Sequence, residues 1–130
     1  MNSSDLLKKQ IHKELDFLCS NFNENSERVR EIVQLFIEET PALLDRITGA
    51  INSKRWREAG TLVHKIKTRY NYIGLDDIAC ALAVLQEDIQ DPTKEIISLQ
   101  AIDLIKEKTN EVIHELKNTT YYQQKEKQVY

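Results

Sequence analysis

A chain of 130 residues has the size of one domain closing a single apolar core, and is too short for two. Its 18 basic and 21 acidic residues are mixed along the chain for a net charge of −3, so no basic block offers itself to a nucleic-acid backbone. With only 3 Gly and 2 Pro the chain has little turn punctuation, which favours long helices over a many-stranded sheet.

Apolar residues recur at three- and four-residue steps in five stretches. The first, about Asp5 to Cys19, carries Leu7, Ile11, Leu15 and Leu18 and ends in the polar loop Ser20 to Ser26. The second starts near Ser26 with Val29, Ile32, Val33, Phe36, Leu43, Ile47 and Ile51; Pro41 lies inside it and predicts a kink or a short break. Asn52-Ser53 is a suitable N-cap pair for a third helix from about Lys54 to Tyr72, and Gly74 suits a left-handed C-terminal closure. Asp76 and Asp77 complement the dipole of a fourth helix with the stripe Ile78, Leu82, Leu85 and Ile89. Asp91-Pro92 restarts the chain as cap and first helical residue, and Ile97, Ile102, Ile105, Val112, Ile113 and Leu116 line the last helix. The expected fold is all-α: an antiparallel four-helix bundle with a short additional N-terminal helix over residues 1–118, followed by a polar, fraying tail over 119–130.

No segment approaches the ~18 consecutive apolar residues of a membrane span, and no basic stretch leads into an apolar run at the N-terminus. Cys19 and Cys80 stand far apart, outside any disulfide framework, as buried free thiols of a reducing compartment would. The expectation is a cytoplasmic monomer; Met1 hints at a free-standing protein, and a domain cut from a larger chain stays open.

On a wheel at about 100° per residue, Ala59, Leu62, Val63, Ile66, Tyr70 and Ile73 of the third helix gather within roughly 100° of arc. His64 points roughly 150° from the centre of that arc, on a polar face with Arg57, Gly60, Thr61, Thr68 and Asn71. The imidazole is therefore expected in solvent. Gly60, one turn before it, clears space over the ring at a helix cost of about 1 kcal/mol, or simply eases helix packing. Lys67, three residues after it, reaches anything attached to the imidazole, or is an ordinary solvated lysine.

Val63-His64-Lys65-Ile66-Lys67 followed by Ile73-Gly74 resembles the signature of histidine-containing phosphotransfer (HPt) domains, roughly A-H-x-L-K-G with an aliphatic-Gly pair nine and ten residues after the histidine. Leu35 to Pro41 and Arg55-Trp56 are similar to that family's second and third helices, so the resemblance covers about Asp16 to Ile89 well and the last helix only generically. Two departures stand out: Thr68 occupies the usual glycine position, and Arg69-Tyr70 replaces a pair of small residues. Gly60 is expected to offset Thr68 in part.

The resemblance implies a phosphorelay intermediate without independent turnover. His64 is the implied phosphoacceptor, Lys67 the group that steadies phosphoryl charge, with Lys65 and Arg69 as further candidates, and Arg57, Gly60, Thr61, Thr68 and Asn71 the implied docking residues. The implied partners are response-regulator receiver domains and a hybrid histidine kinase; no cofactor is implied on this chain, and Mg²⁺ is expected on the receiver. Thr68 and Arg69 keep an alternative open, a transfer-inactive docking module of the same shape. Glu111-x-x-His114 is half of a di-metal bundle motif, but neither His12 nor His64 completes it, so no metal site is expected. No phosphate-binding loop, zinc cluster, hydrolase motif or kinase nucleotide-binding core is legible.

Overall fold

The computed structural model describes residues 2–123, and all the regular structure among them is helical. Helices α1 (Ser3–Asn21), α2 (Ser26–Asn52), α3 (Trp56–Tyr72) and α4 (Asp76–Asp88) are followed by a 3₁₀ turn (Pro92–Lys94), α5 (Glu95–Lys117) and the single turn α6 (Thr120–Gln123). Three-residue connections fold α2, α3 and α4 back on one another. α5 then packs against both α4 and α2, closing a four-helix ring whose axis is the core. α1 covers α2 and α5 from outside; at 19 residues it is longer than α3 or α4, not the short leading helix expected.

The same local device ends three helices. After α1, α2 and α3 the residue beyond the cap takes a left-handed conformation, at Asn23 (φ 57°), Lys54 (φ 59°) and Gly74 (φ 78°). The following N–H reaches back to a carbonyl of the last turn: Glu24 to Cys19, Arg55 to Ala50 at 2.8 Å and Leu75 to Tyr70 at 3.1 Å. Gly74 closes α3 as the sequence suggested. Asn52 and Ser53, expected to cap α3, belong instead to the closing turn of α2, and α3 starts after Arg55 with no side-chain cap. Asn2 and Asn25 supply caps for α1 and α2, accepting from the N–H of Asp5 and Arg28.

α2 runs without a break through Pro41. Buried Phe36 and Thr40 before the proline, and Leu43, Leu44 and Ile47 after it, anchor both halves in the core, and that packing outweighs the ~3 kcal/mol a helix-interior proline costs.

In α5 the buried positions are Ser98, Ile102, Ile105, Thr109, Val112 and Leu116, a regular four-three alternation with two polar members. Ile97, assigned to the core from the sequence, is 54% exposed, because Ser98 holds that place in the stripe. Thr109 is there for a partner: its hydroxyl meets that of Tyr70 at 2.5 Å, and the Tyr70 ring packs edge-on against Phe36 with centroids 5.0 Å apart. Burial pushes the Tyr70 phenol well above its ordinary range.

Thr119 is buried and Tyr121 and Tyr122 pack on the core, so packed structure continues past residue 118 into the stretch read as tail; residues 124–130 lie outside the described residues. Cys19 is buried as expected, whereas Cys80 is exposed on α4; both are free. No helix among the described residues is long and apolar enough to cross a membrane.

Candidate functional site

Every residue assigned to the core arc of α3 is buried: Ala59, Leu62, Val63, Ile66, Tyr70 and Ile73. That fixes the rotation of the helix and leaves His64 exposed, with Arg57, Thr61, Thr68 and Asn71 exposed along the same ridge and Gly60 half-buried beside it. The anticipated site residues therefore share one face of one helix.

The ridge separates two grooves. On the α4 side, His64, Gly60, Arg57 and Trp56 face Gln86, Ile89 and Gln90 across an open groove of about 610 Å³. On the α2 side, Thr68, Arg69, Tyr72 and Ile73 face Ile32, Leu35 and Phe36 across a second, of about 420 Å³. A Cβ built on Gly60 meets nothing within 4 Å, so this glycine is not required for helix contact and its effect is space beside the histidine. Thr68 lies on the other side, two turns further along. Gly60 widens one approach and Thr68 borders the other, which argues against the compensation expected between them.

The two threonines flanking His64 are not free donors. Thr61 Oγ1 donates to the Arg57 carbonyl and Thr68 Oγ1 to the His64 carbonyl, each at 3.0 Å, one turn back in the helix. Each hydroxyl proton is thereby committed within the helix, which leaves only acceptor capacity outward.

Lys67 is half-buried and leans towards α4, its Nζ donating to Gln86 Oε1 at 3.5 Å. This long hydrogen bond tethers the ammonium one turn along from His64 without neutralising it. Lys65 is exposed. Arg69 leaves the histidine altogether: its Nη2 pairs with Glu39 Oε1 on α2, so it is not a second cation for the same anion.

Sequence reasoning missed Gln86 and Glu39. Each lies on another helix from the residue it holds, and a glutamine or glutamate on a polar face carries no periodic signal that names a partner across a groove. Among the described residues no group of three His, Cys, Asp or Glu side chains is arranged to hold a metal ion.

A solvated imidazole with a tethered ammonium one turn away, over open grooves on both sides, suits exchange of an anionic group with a docking macromolecule better than turnover of an enclosed small substrate. The Hpt domain family model matches residues 31–119, which takes in α3 and both grooves from Glu31 onward. No curated protein and no solved structure matches the chain.

Proposed function

This chain belongs to the Hpt domain family, the histidine phosphotransfer carriers of phosphorelays, and we propose that His64 accepts a phosphoryl group from the aspartate of one receiver domain and passes it to another. The observation that carries the reading is the exposure of His64 on the α3 ridge, in register with the family signature and beside the tethered Lys67.

The chemistry asks little of the carrier. The lone pair of an unprotonated imidazole nitrogen forms the N–P bond in line as the acyl P–O bond breaks and its electrons return to the aspartate carboxylate; transfer onward is the reverse. Charge on the phosphoryl oxygens is met by Lys67, held towards α4 by Gln86. No cofactor is assigned to this chain, and the Mg²⁺ belongs to the receiver. Receiver domains dock on the ridge through Arg57, Gly60, Thr61, Thr68 and Asn71, with the α2 wall of the adjoining groove, Leu35 foremost, in contact. The histidine kinase that feeds the relay is a hybrid kinase bearing such a receiver, and the chain acts as a cytoplasmic monomer.

The test is transfer of label from phosphorylated receiver domains to the chain, with His64→Gln alongside. The expected product is acid-labile and base-stable, and absent in the variant. Receivers that bind without giving label identify a docking module instead.

A further inference from the structure

Of the charged side chains lining the groove between α2 and α3, Arg28 and Glu31 are exposed and pair with each other at 3.3 Å, while Arg69 is used neither by them nor by the relay chemistry. The groove walls are largely apolar, Ile32, Phe36 and Ile73 within and Leu35 and Tyr72 at the rim, the last two each 49% exposed. Into this wall the chain places Arg69, only 18% exposed. Its Nη2 is held by Glu39, but Nη1 is buried and has no hydrogen-bond partner among the described residues. A desolvated guanidinium donor without an acceptor is unfavourable, and a single pair to a carboxylate that is 46% exposed offsets little of it. As a tie between α2 and α3 alone, Arg69 is a poor solution.

Position gives it another use. Thr68, whose hydroxyl binds the His64 carbonyl, lines the same groove, so a surface that docks over His64 also covers this groove. We infer that Arg69 is a specificity-determining residue for the exchange: an incoming receiver domain inserts an apolar side chain between Leu35 and Tyr72, and a carboxylate beside that side chain accepts from Arg69 Nη1. The inference rests on the relay reading. In this reading docking turns the guanidinium so that the buried Nη1 meets the incoming carboxylate while Nη2 keeps Glu39; a planar fork binds two carboxylates on different nitrogens, which a lysine ammonium does not reproduce. Receivers lacking the carboxylate leave the donor buried and unpaired, and are discriminated against on docking.

The experiment measures transfer from several phosphorylated receivers to the full chain and to Arg69→Lys, Arg69→Ala, Glu39→Gln and the exchange Arg69→Glu with Glu39→Arg. Labelling of His64 by phosphoramidate, a small donor that needs no docking, runs in parallel with thermal melts. The two single Arg69 variants are expected to raise KM roughly tenfold or more for the preferred receivers, to change kcat little, and to level the ranking among receivers, with phosphoramidate labelling retained. Glu39→Gln changes KM little, and the charge exchange does not restore it. Restoration of KM by the exchange, or an equal change for every receiver in step with stability, makes Arg69 a structural tie and overturns the inference. Unchanged KM in both Arg69 variants does the same. If phosphoramidate and all receivers leave wild-type His64 unlabelled, the relay reading fails, and this inference with it.

Discussion

Replacing Tyr70 by phenylalanine removes one oxygen from the centre of the bundle, and its effect follows from what that oxygen touches. Tyr70 and Thr109 are 0% and 1% exposed, and their hydroxyls are 2.5 Å apart. In Tyr70→Phe the Thr109 hydroxyl falls back on the carbonyl one turn earlier in α5, which limits the loss to about 1–2 kcal/mol. Thr109→Val strands the phenol, which has no such local acceptor, and is expected to destabilise by about 2–3 kcal/mol. The double variant replaces the pair by apolar groups of similar shape, so the changes are less than additive, with a coupling of about 1–2 kcal/mol. Urea titrations followed by circular dichroism measure all four corners of the cycle. Strict additivity, or a neutral Thr109→Val, refutes a buried hydrogen bond between α3 and α5. A pH dependence follows as well. Burial raises the folded-state pKa of Tyr70, so above the unfolded value of about 10 the unfolded chain releases a proton that the folded chain keeps, and stability falls as pH rises. Tyr121, also raised by partial burial beside Cys19 and Asp16, contributes with the same sign. Tyr70→Phe should therefore reduce the alkaline loss without abolishing it.

Gly74→Ala places a Cβ at φ 78° against the Glu14 side chain and is expected to destabilise by about 1–2 kcal/mol in the same titrations, whereas Gly60→Ala, which meets nothing, should stabilise by about 0.5–1 kcal/mol. Because Gly60 and Thr68 border different grooves, Gly60→Leu should slow receiver transfer and Thr68→Gly speed it, and the double variant should show the two effects combining independently in single-turnover rates. Lys67→Ala is expected to slow transfer on the order of 100-fold, and Gln86→Ala less, since it removes only the tether; an equal loss in Gln86→Ala would assign Gln86 a direct role.

Much of this architecture was legible from periodicity. Each apolar residue of the α3 arc is buried, and the rotation this imposes carries His64 to the surface, because a helix with one buried stripe has no freedom to turn. The polar core positions were not legible: Ser98 and Thr109 continue the stripe of α5, but a hydroxyl reads as surface until its partner, for Thr109 the phenol of Tyr70, is seen across the bundle. Asn52-Ser53 misled because residues that cap a helix also serve in the turn that ends the previous one; Lys54 in a left-handed conformation, an uncommon choice, decided between them. At the site, the histidine and its lysine came from one helix and were found together. Gln86 and Glu39 come from neighbouring helices, and which polar side chains meet across a groove depends on helix crossing, which single-helix patterns do not encode.

The most direct test of the relay is a chase. The chain is labelled by a phosphorylated receiver, separated from it, and mixed with a second, unphosphorylated receiver and Mg²⁺. The account predicts that acid-labile label leaves His64 and appears on the second receiver as a base-labile acyl phosphate. Label that never reaches His64, or that stays there through exposure to several receivers, would contradict it.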